Sequence, residues 1–360
     1  MMEKKFQKNG GAIIQTMIDE AVEDGTRCAT VTGNYEIEKT ILIPSEFTLF
    51  LENCHLVLGE GTFCNMFTNE HCRTEIGRTV EGTDRDIVIE GRGRVILDGG
   101  KYNMLCEKNS CKDGRPHISV NNMLLFANVD GFTVKNLHIR NHRWWGMNFL
   151  FCRNGYIGNI EFCSSDIWVD EDGTEHHGFK GEGFDYAKIL IKNSDGIDLR
   201  SGCHDIIIEN ITGFTEDDTI ALTALQGKLE AMYGVEGLCP DIHNVIIRNV
   251  NAAAQCSIVR LLNQGALKLY NVLVDGVVDA SANNPHMDRG PFGIRVGDGY
   301  HMYGSRFSTK DETYNITVRN VVTRATKGVH LSGAMSNITL DNIRGFDTNQ
   351  ILIDNKADIS

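Results

Sequence analysis

Asp205-Ile-Ile-Ile-Glu-Asn210 decides the fold, because the same six-residue pattern returns along the chain. It runs from a first residue, often Asp or Asn, through apolar, any, apolar, any, to a closing Asn or Gly. The other copies are Asp86-Ile-Val-Ile-Glu-Gly91, Gly131-Phe-Thr-Val-Lys-Asn136, Lys188-Ile-Leu-Ile-Lys-Asn193, Asn244-Val-Ile-Ile-Arg-Asn249, Asn271-Val-Leu-Val-Asp-Gly276, Asn315-Ile-Thr-Val-Arg-Asn320 and Asn337-Ile-Thr-Leu-Asp-Asn342. Alternation at period two is a strand with one buried face, and a repeat of such strands is a solenoid. Asn and Gly tolerate the left-handed backbone, so each copy should end in a sharp bend. Coils stacked this way predict an all-β protein, a right-handed parallel β-helix. A β-sandwich would need antiparallel hairpins and a βαβ sheet an amphipathic helix between strands, and segments such as 213–225 supply neither.

Around this frame, Gly11-Ala-Ile-Ile-Gln-Thr-Met-Ile-Asp-Glu-Ala-Val-Glu-Asp24 places Ile14, Met17, Ile18 and Ala21 on one face, followed by Gly25. It predicts an N-terminal α-helix over about 11–24 that caps the first coil, since an uncapped solenoid end exposes core and strand edge. No linker or composition shift interrupts the chain, which reads as one domain over residues 1–360. With 35 Lys+Arg against 48 Asp+Glu the net charge is −13, and no basic cluster is present, so no nucleic-acid partner is expected. No long apolar run predicts a membrane partner, and no apolar core of a secretory signal follows Met1. The expected location is cytoplasmic, or secreted if a leader has been removed. Eleven cysteines without a CxxC pair are expected to be reduced thiols rather than disulfides or zinc ligands. Oligomeric state is not legible.

Chemistry must come from the outer face of the coils. Asn193-Ser-Asp-Gly-Ile-Asp198 and Glu216-Asp-Asp-Thr-Ile-Ala-Leu222 put Asp195 and Asp217 one coil apart, with Asp218 beside them. An Asp at a coil corner can serve only an Asx-turn. A stacked carboxylate cluster does more: like charges keep one member protonated and leave another ionised, which supplies the acid and base of glycoside hydrolysis. Parity turns Ile220 and Leu222 inward, so Asp218 would be buried in the core unless the chain bends ahead of them.

These segments resemble the polygalacturonase-type hydrolases of glycoside hydrolase family 28, in the pectate lyase-like superfamily. Asn193-Ser194-Asp195-Gly196 is similar to that family's Asn-Thr-Asp-Gly segment, and Asp217-Asp218-Thr219-Ile220-Ala221 to its Gly-Asp-Asp-Cys segment. The likeness extends to Ile89-Glu90-Gly91-Arg92-Gly93, Asp98-Gly99-Gly100, Leu124-Leu125-Phe126, Asn136 to Asn141 and the capping helix with Pro44-Ser45. The resemblance implies Asp217 as general acid, Asp195 with Asp218 as activators of water, inversion at the anomeric carbon, and no cofactor or metal. It implies a substrate contact for Arg295, in Gly293-Ile-Arg-Val-Gly297. The chain departs from the family at Gly297, where Lys is usual, and at Gln255-Cys256-Ser257, where Gly-His-Gly is usual.

Arg260, of outward parity, is a candidate to replace the lost positive charge. Trp144 and Trp145 sit where the family has an aromatic, and an exposed indole would carry a sugar ring. Asn193, Asp198 and His177 complete the candidate substrate-binding set, His177 from an acidic segment that could equally be a solvated loop. The expected substrate is a pectin-like or other plant-derived oligosaccharide, cleaved from a chain end and with weak action on long polygalacturonate. A lysine restored at 297 is expected to favour galacturonides. Two other classes remain open: a uronate lyase or epimerase, which would want a Lys, Arg or Tyr base and often Ca²⁺, and a non-catalytic glycan-binding β-helix.

Overall fold

The computed structural model describes residues 5–100, 120–164, 167–169, 174–177, 195–283, 289–345 and 349–360. Within these, the chain winds as a right-handed parallel β-helix of two long sheets, one of twelve strands and one of ten. Inward positions of the repeat stack in register: Ile89, Val134, Ile157, Ile208, Ile247, Val274, Val318 and Leu340 pair coil to coil in one continuous row. All but the last of these are buried and form the core of the coil. The α-helix Gly10–Glu23 lays Ile14, Ile18 and Ala21 on the first coil, within a residue of the expected span.

The bends differ from expectation in two respects: Gly91 closes its copy inside the strand Asp84–Arg92 without a left-handed backbone, and the opening residues bend as well. The closing residues Asn136, Asn210, Asn249, Gly276, Asn320 and Asn342 do have positive φ, but so do the first residues Asp86, Gly131, Asp205, Asn244, Asn271, Asn315 and Asn337. Pairing runs through both bends, so His204–Thr215 is one strand kinked twice rather than a short strand between turns. Side-chain amides bridge the kinks from coil to coil, as in Asn210 Nδ2 to Asn159 Oδ1 at 2.9 Å and Asn271 Nδ2 to Asn244 Oδ1 at 3.0 Å.

One copy escaped the pattern. Asn154-Gly-Tyr-Ile-Gly-Asn159 has the same two left-handed residues, but a glycine occupies its first inward position. Phe132 of the preceding coil fills that space, its ring lying 2.2 Å from where a Cβ of Gly155 would stand. The strand Arg153–Cys163 pairs directly with His204–Thr215. The copy Lys188–Asn193 lies outside the described residues. The nine described cysteines are free thiols, and no described helix is long and apolar enough to cross a membrane.

Candidate active site

The site lies on the outer face of the ten-stranded sheet. Strand alternation buries Ile197, Leu199, Ile220, Leu222, Val259, Leu261, Ile294 and Val296 in the coil. The intervening positions form one outward row in register: Leu125, Asn148, Asp198, Ala221, Arg260, Arg295 and His330. Asp195 and Asp218 precede adjacent strands in this sheet. The Gly196 N–H donates to the Asp218 carbonyl at 2.9 Å, and the Asp218 N–H donates to Asp195 Oδ1 at 3.0 Å. The chain bends at Glu216 and Asp217, and Thr215 and Thr219 bond hydroxyl to hydroxyl at 2.9 Å across the bend. The Asp218 carboxylate is thereby buried facing Arg260, whose Nε is 4.0 Å away, rather than in the core.

Electrostatics separate the carboxylates. Burial, and then the charges of Asp198, Asp217 and Asp218, push the Asp195 carboxyl well above the usual range. Burial and the charge of Asp217 push Asp218 up to about 6, against the pull of Arg260. Burial likewise takes Asp198 up to about 6, opposed by Arg200, whose Nη2 lies 3.6 Å away. Of these three carboxyls, the one most strongly held in its acid form is therefore Asp195. Cys256 stands beside the pair: one ligand atom each of Asp217, Asp218 and Cys256 falls within 4.8 Å of the others. Burial and the two aspartates keep its thiol protonated, so it supplies a neutral donor in the coil where the family has histidine.

Trp144 and Trp145 are not sugar platforms. Each is 3% exposed, in a second apolar cluster on the outside of the sheet with Leu125, Ala127, Leu150, Leu229, Tyr233 and Val235. Arg200 ties this cluster to the site, stacking on Trp145 at 4.1 Å and pairing with Glu230 of the helix Lys228–Tyr233 at 2.7 Å. Two indoles in a row signal a packing demand as readily as a binding face, and here packing claims both. Asn193 lies outside the described residues. His177 lies in the short strand Glu175–His177, antiparallel to Ile167–Val169, and its side chain lies outside the described residues.

Arg260 and Arg295 are 6% and 9% exposed, and both reach Asp298, a residue the sequence reading passed over. Asp298 Oδ2 lies 2.6 Å from Arg295 Nη2 and 3.3 Å from Arg260 Nη2, while its Oδ1 accepts the N–H groups of Tyr300 and His301. The signal available was a carboxylate three residues after Arg295, legible only with the left-handed turn at Gly297 between them. That glycine has φ +72°, and a Cβ on it would stand 2.0 Å from the Ser332 carbonyl oxygen. A lysine restored at 297 therefore has no room, and the expectation built on it fails on backbone geometry. His330, also overlooked, follows Arg295 in register, stacks on Phe292 at 5.2 Å and bonds Asp354 at 2.9 Å. Its outward parity between Val329 and Leu331 was the available clue.

The sequence pattern of glycosyl hydrolases family 28 matches residues 40–252, more than half of the chain and inclusive of all three candidate catalytic aspartates. The chain belongs to glycosyl hydrolases family 28. No curated protein matches the sequence significantly. Among solved structures, a hyperthermoactive exopolygalacturonase from Thermotoga maritima superposes with a TM-score of 0.57 at 13% identity, over 99% of this chain and 91% of that one. A 1,3-α-1,4-β-D-galactose-4-sulfate-3,6-anhydro-D-galactose-2-sulfate 4 galactohydrolase gives 0.59 at 12%, over 97% and 85%. A tailspike protein of an E. coli bacteriophage, in complex with a pentasaccharide, gives 0.59 at 11%, over 95% and 53%. At these identities the likeness is one of fold. Family 28 membership makes this a chain of glycosidase type, and it departs from the residues usual in the family at Cys256 and Gly297.

Proposed function

We propose that this protein is an inverting glycoside hydrolase of pectin-like or other plant-derived oligosaccharides, with Asp195, Asp217 and Asp218 as its catalytic set. The observation that carries the reading is the contact of two acidic turns on adjacent coils, where the Asp218 N–H meets the Asp195 carboxylate beneath a half-buried Asp217. Asp217, half-buried at the bend, is the member that would give a proton to the departing glycosidic oxygen. Water held between Asp195 and Asp218 attacks the anomeric carbon and yields its proton to the ionised carboxylate, so one C–O bond forms as another breaks. The cluster keeps a proton near neutrality because burial and mutual repulsion prevent all of its members from ionising together. Family membership supports the reaction class, and the buried, charge-paired state of Arg260 and Arg295 supports weak action on long polygalacturonate.

The test is release of reducing ends from a panel of plant oligosaccharides, with the anomer of the first product read by NMR. Asp217→Asn should lose at least about a thousandfold in turnover while its melting temperature stays nearly unchanged. Retention of most activity in this variant would remove Asp217 from the acid role, and a product of retained configuration would remove the inverting mechanism.

A further inference from the structure

Two guanidiniums on neighbouring coils, about 4.8 Å apart along the stack, would ordinarily make a strong site for a sugar carboxylate. In this chain the carboxylate is built in. Asp298 is fully buried and takes a nitrogen from each arginine, and two backbone N–H groups hold its other oxygen. His301 Nδ1 lies 3.4 Å away on the solvent side. The turn carrying Asp298 is fixed from below: buried Gln264 donates to the His301 carbonyl at 2.6 Å and accepts from the N–H groups of Tyr303 and Gly304. A uronate entering here would have to displace a carboxylate with four partners. Beside it, Tyr303 leaves 47% of its surface exposed, with the Arg260 guanidinium 5.6 Å from its ring centroid. Such a ring offers an apolar face to a sugar.

We infer that Asp298 is a specificity-determining residue: by pairing with both Arg260 and Arg295, and with Asp218 facing Arg260 at 4.0 Å to balance the second guanidinium, it makes this part of the cleft accept an uncharged sugar, such as a neutral hexose or an esterified uronate, over a free uronate. The inference rests on the glycan-binding reading of the cleft. It adds a residue and a ligand charge that the reaction class alone does not specify.

Digalacturonate and its dimethyl ester differ in charge and share their stereochemistry, so the ratio of their affinities isolates the effect. Calorimetric titration on the Asp217→Asn protein keeps both probes intact. The ester should bind at least as tightly as the free acid. Adding Asp298→Asn, which retains an acceptor for the two N–H groups, should move the ratio at least tenfold toward the acid. Adding Arg260→Gln as well restores the charge balance and should return the ratio toward its starting value.

A purely structural Asp298 would lower the melting temperature and leave the ratio where it was, and that result in a folded variant overturns the inference. A tenfold preference of the starting protein for the free acid also overturns it, and this measurement decides the matter if Asp298→Asn does not fold. Failure of both probes to bind overturns the assignment of this subsite, while reducing-end release from another glycan would leave the hydrolase intact. The expected shift without release from any glycan would uphold Asp298 and sink the hydrolase.

Discussion

At the scale of single residues, the site consists of charges that the fold keeps from water. Under the proposed mechanism Asp218, raised to about 6, has to be ionised to take a proton, so activity should fall as pH drops through about 6. Arg260 favours the ionised form, and its removal should raise the Asp218 pKa further. Arg260→Gln is therefore expected to move the acidic limb of the kcat profile to higher pH, and an unmoved limb would separate Arg260 from Asp218. Asp198 gives a stability effect of definite sign. Its folded pKa of about 6 lies above the usual 3.8, so its burial costs nothing below about pH 4, grows costly as pH rises from about 4 to 6, and costs its full amount above that. Asp198→Asn should thus stabilise the protein by roughly 1–3 kcal/mol at pH 7.5 and hardly at all at pH 4, as read from denaturant midpoints at the two values. The aspartates were legible because spacing by one coil puts them side by side whatever else the chain does. Trp144, Trp145 and Asp298 were misread or missed because their surroundings come from segments distant in sequence, such as the helix Lys228–Tyr233 over the indoles.

Among the elements, the kinked strand governs what substitutions are possible. Every described repeat except Asp86–Gly91 has two left-handed residues, and the chain supplies them with Asn, Asp and Gly. The closing residue was legible from its identity. The opening one was not, since Asp and Asn also begin ordinary turns. Gly297 is the strictest of these positions for the site, because the bend and the next coil both exclude a side chain. Gly297→Lys should lower stability by at least about 2 kcal/mol and depress the melting temperature, whatever it does to binding. A variant as stable as the parent would show that the coil end can relax away from Ser332.

For the whole molecule, the repeat told nearly everything about the scaffold and little about its decoration. Residues that touch only the coil before and after obey a nearest-neighbour rule that a linear pattern can show. Loops and the outer apolar cluster answer to no such period. The unequal winding of the coils turns this division into a freedom for the lineage. Twenty-three residues separate the bridged asparagines Asn136 and Asn159, and 51 separate Asn159 and Asn210, yet both pairs bond alike. Closing a loop of doubled length costs only about 0.6 kcal/mol, less than a single misplaced core methyl. The longer winding is the one that delivers Asp195. Insertion and deletion ahead of this candidate catalytic residue are therefore nearly neutral for folding, and descendants of one ancestral spiral can trade whole loops around the cleft while every stacked amide stays where it is.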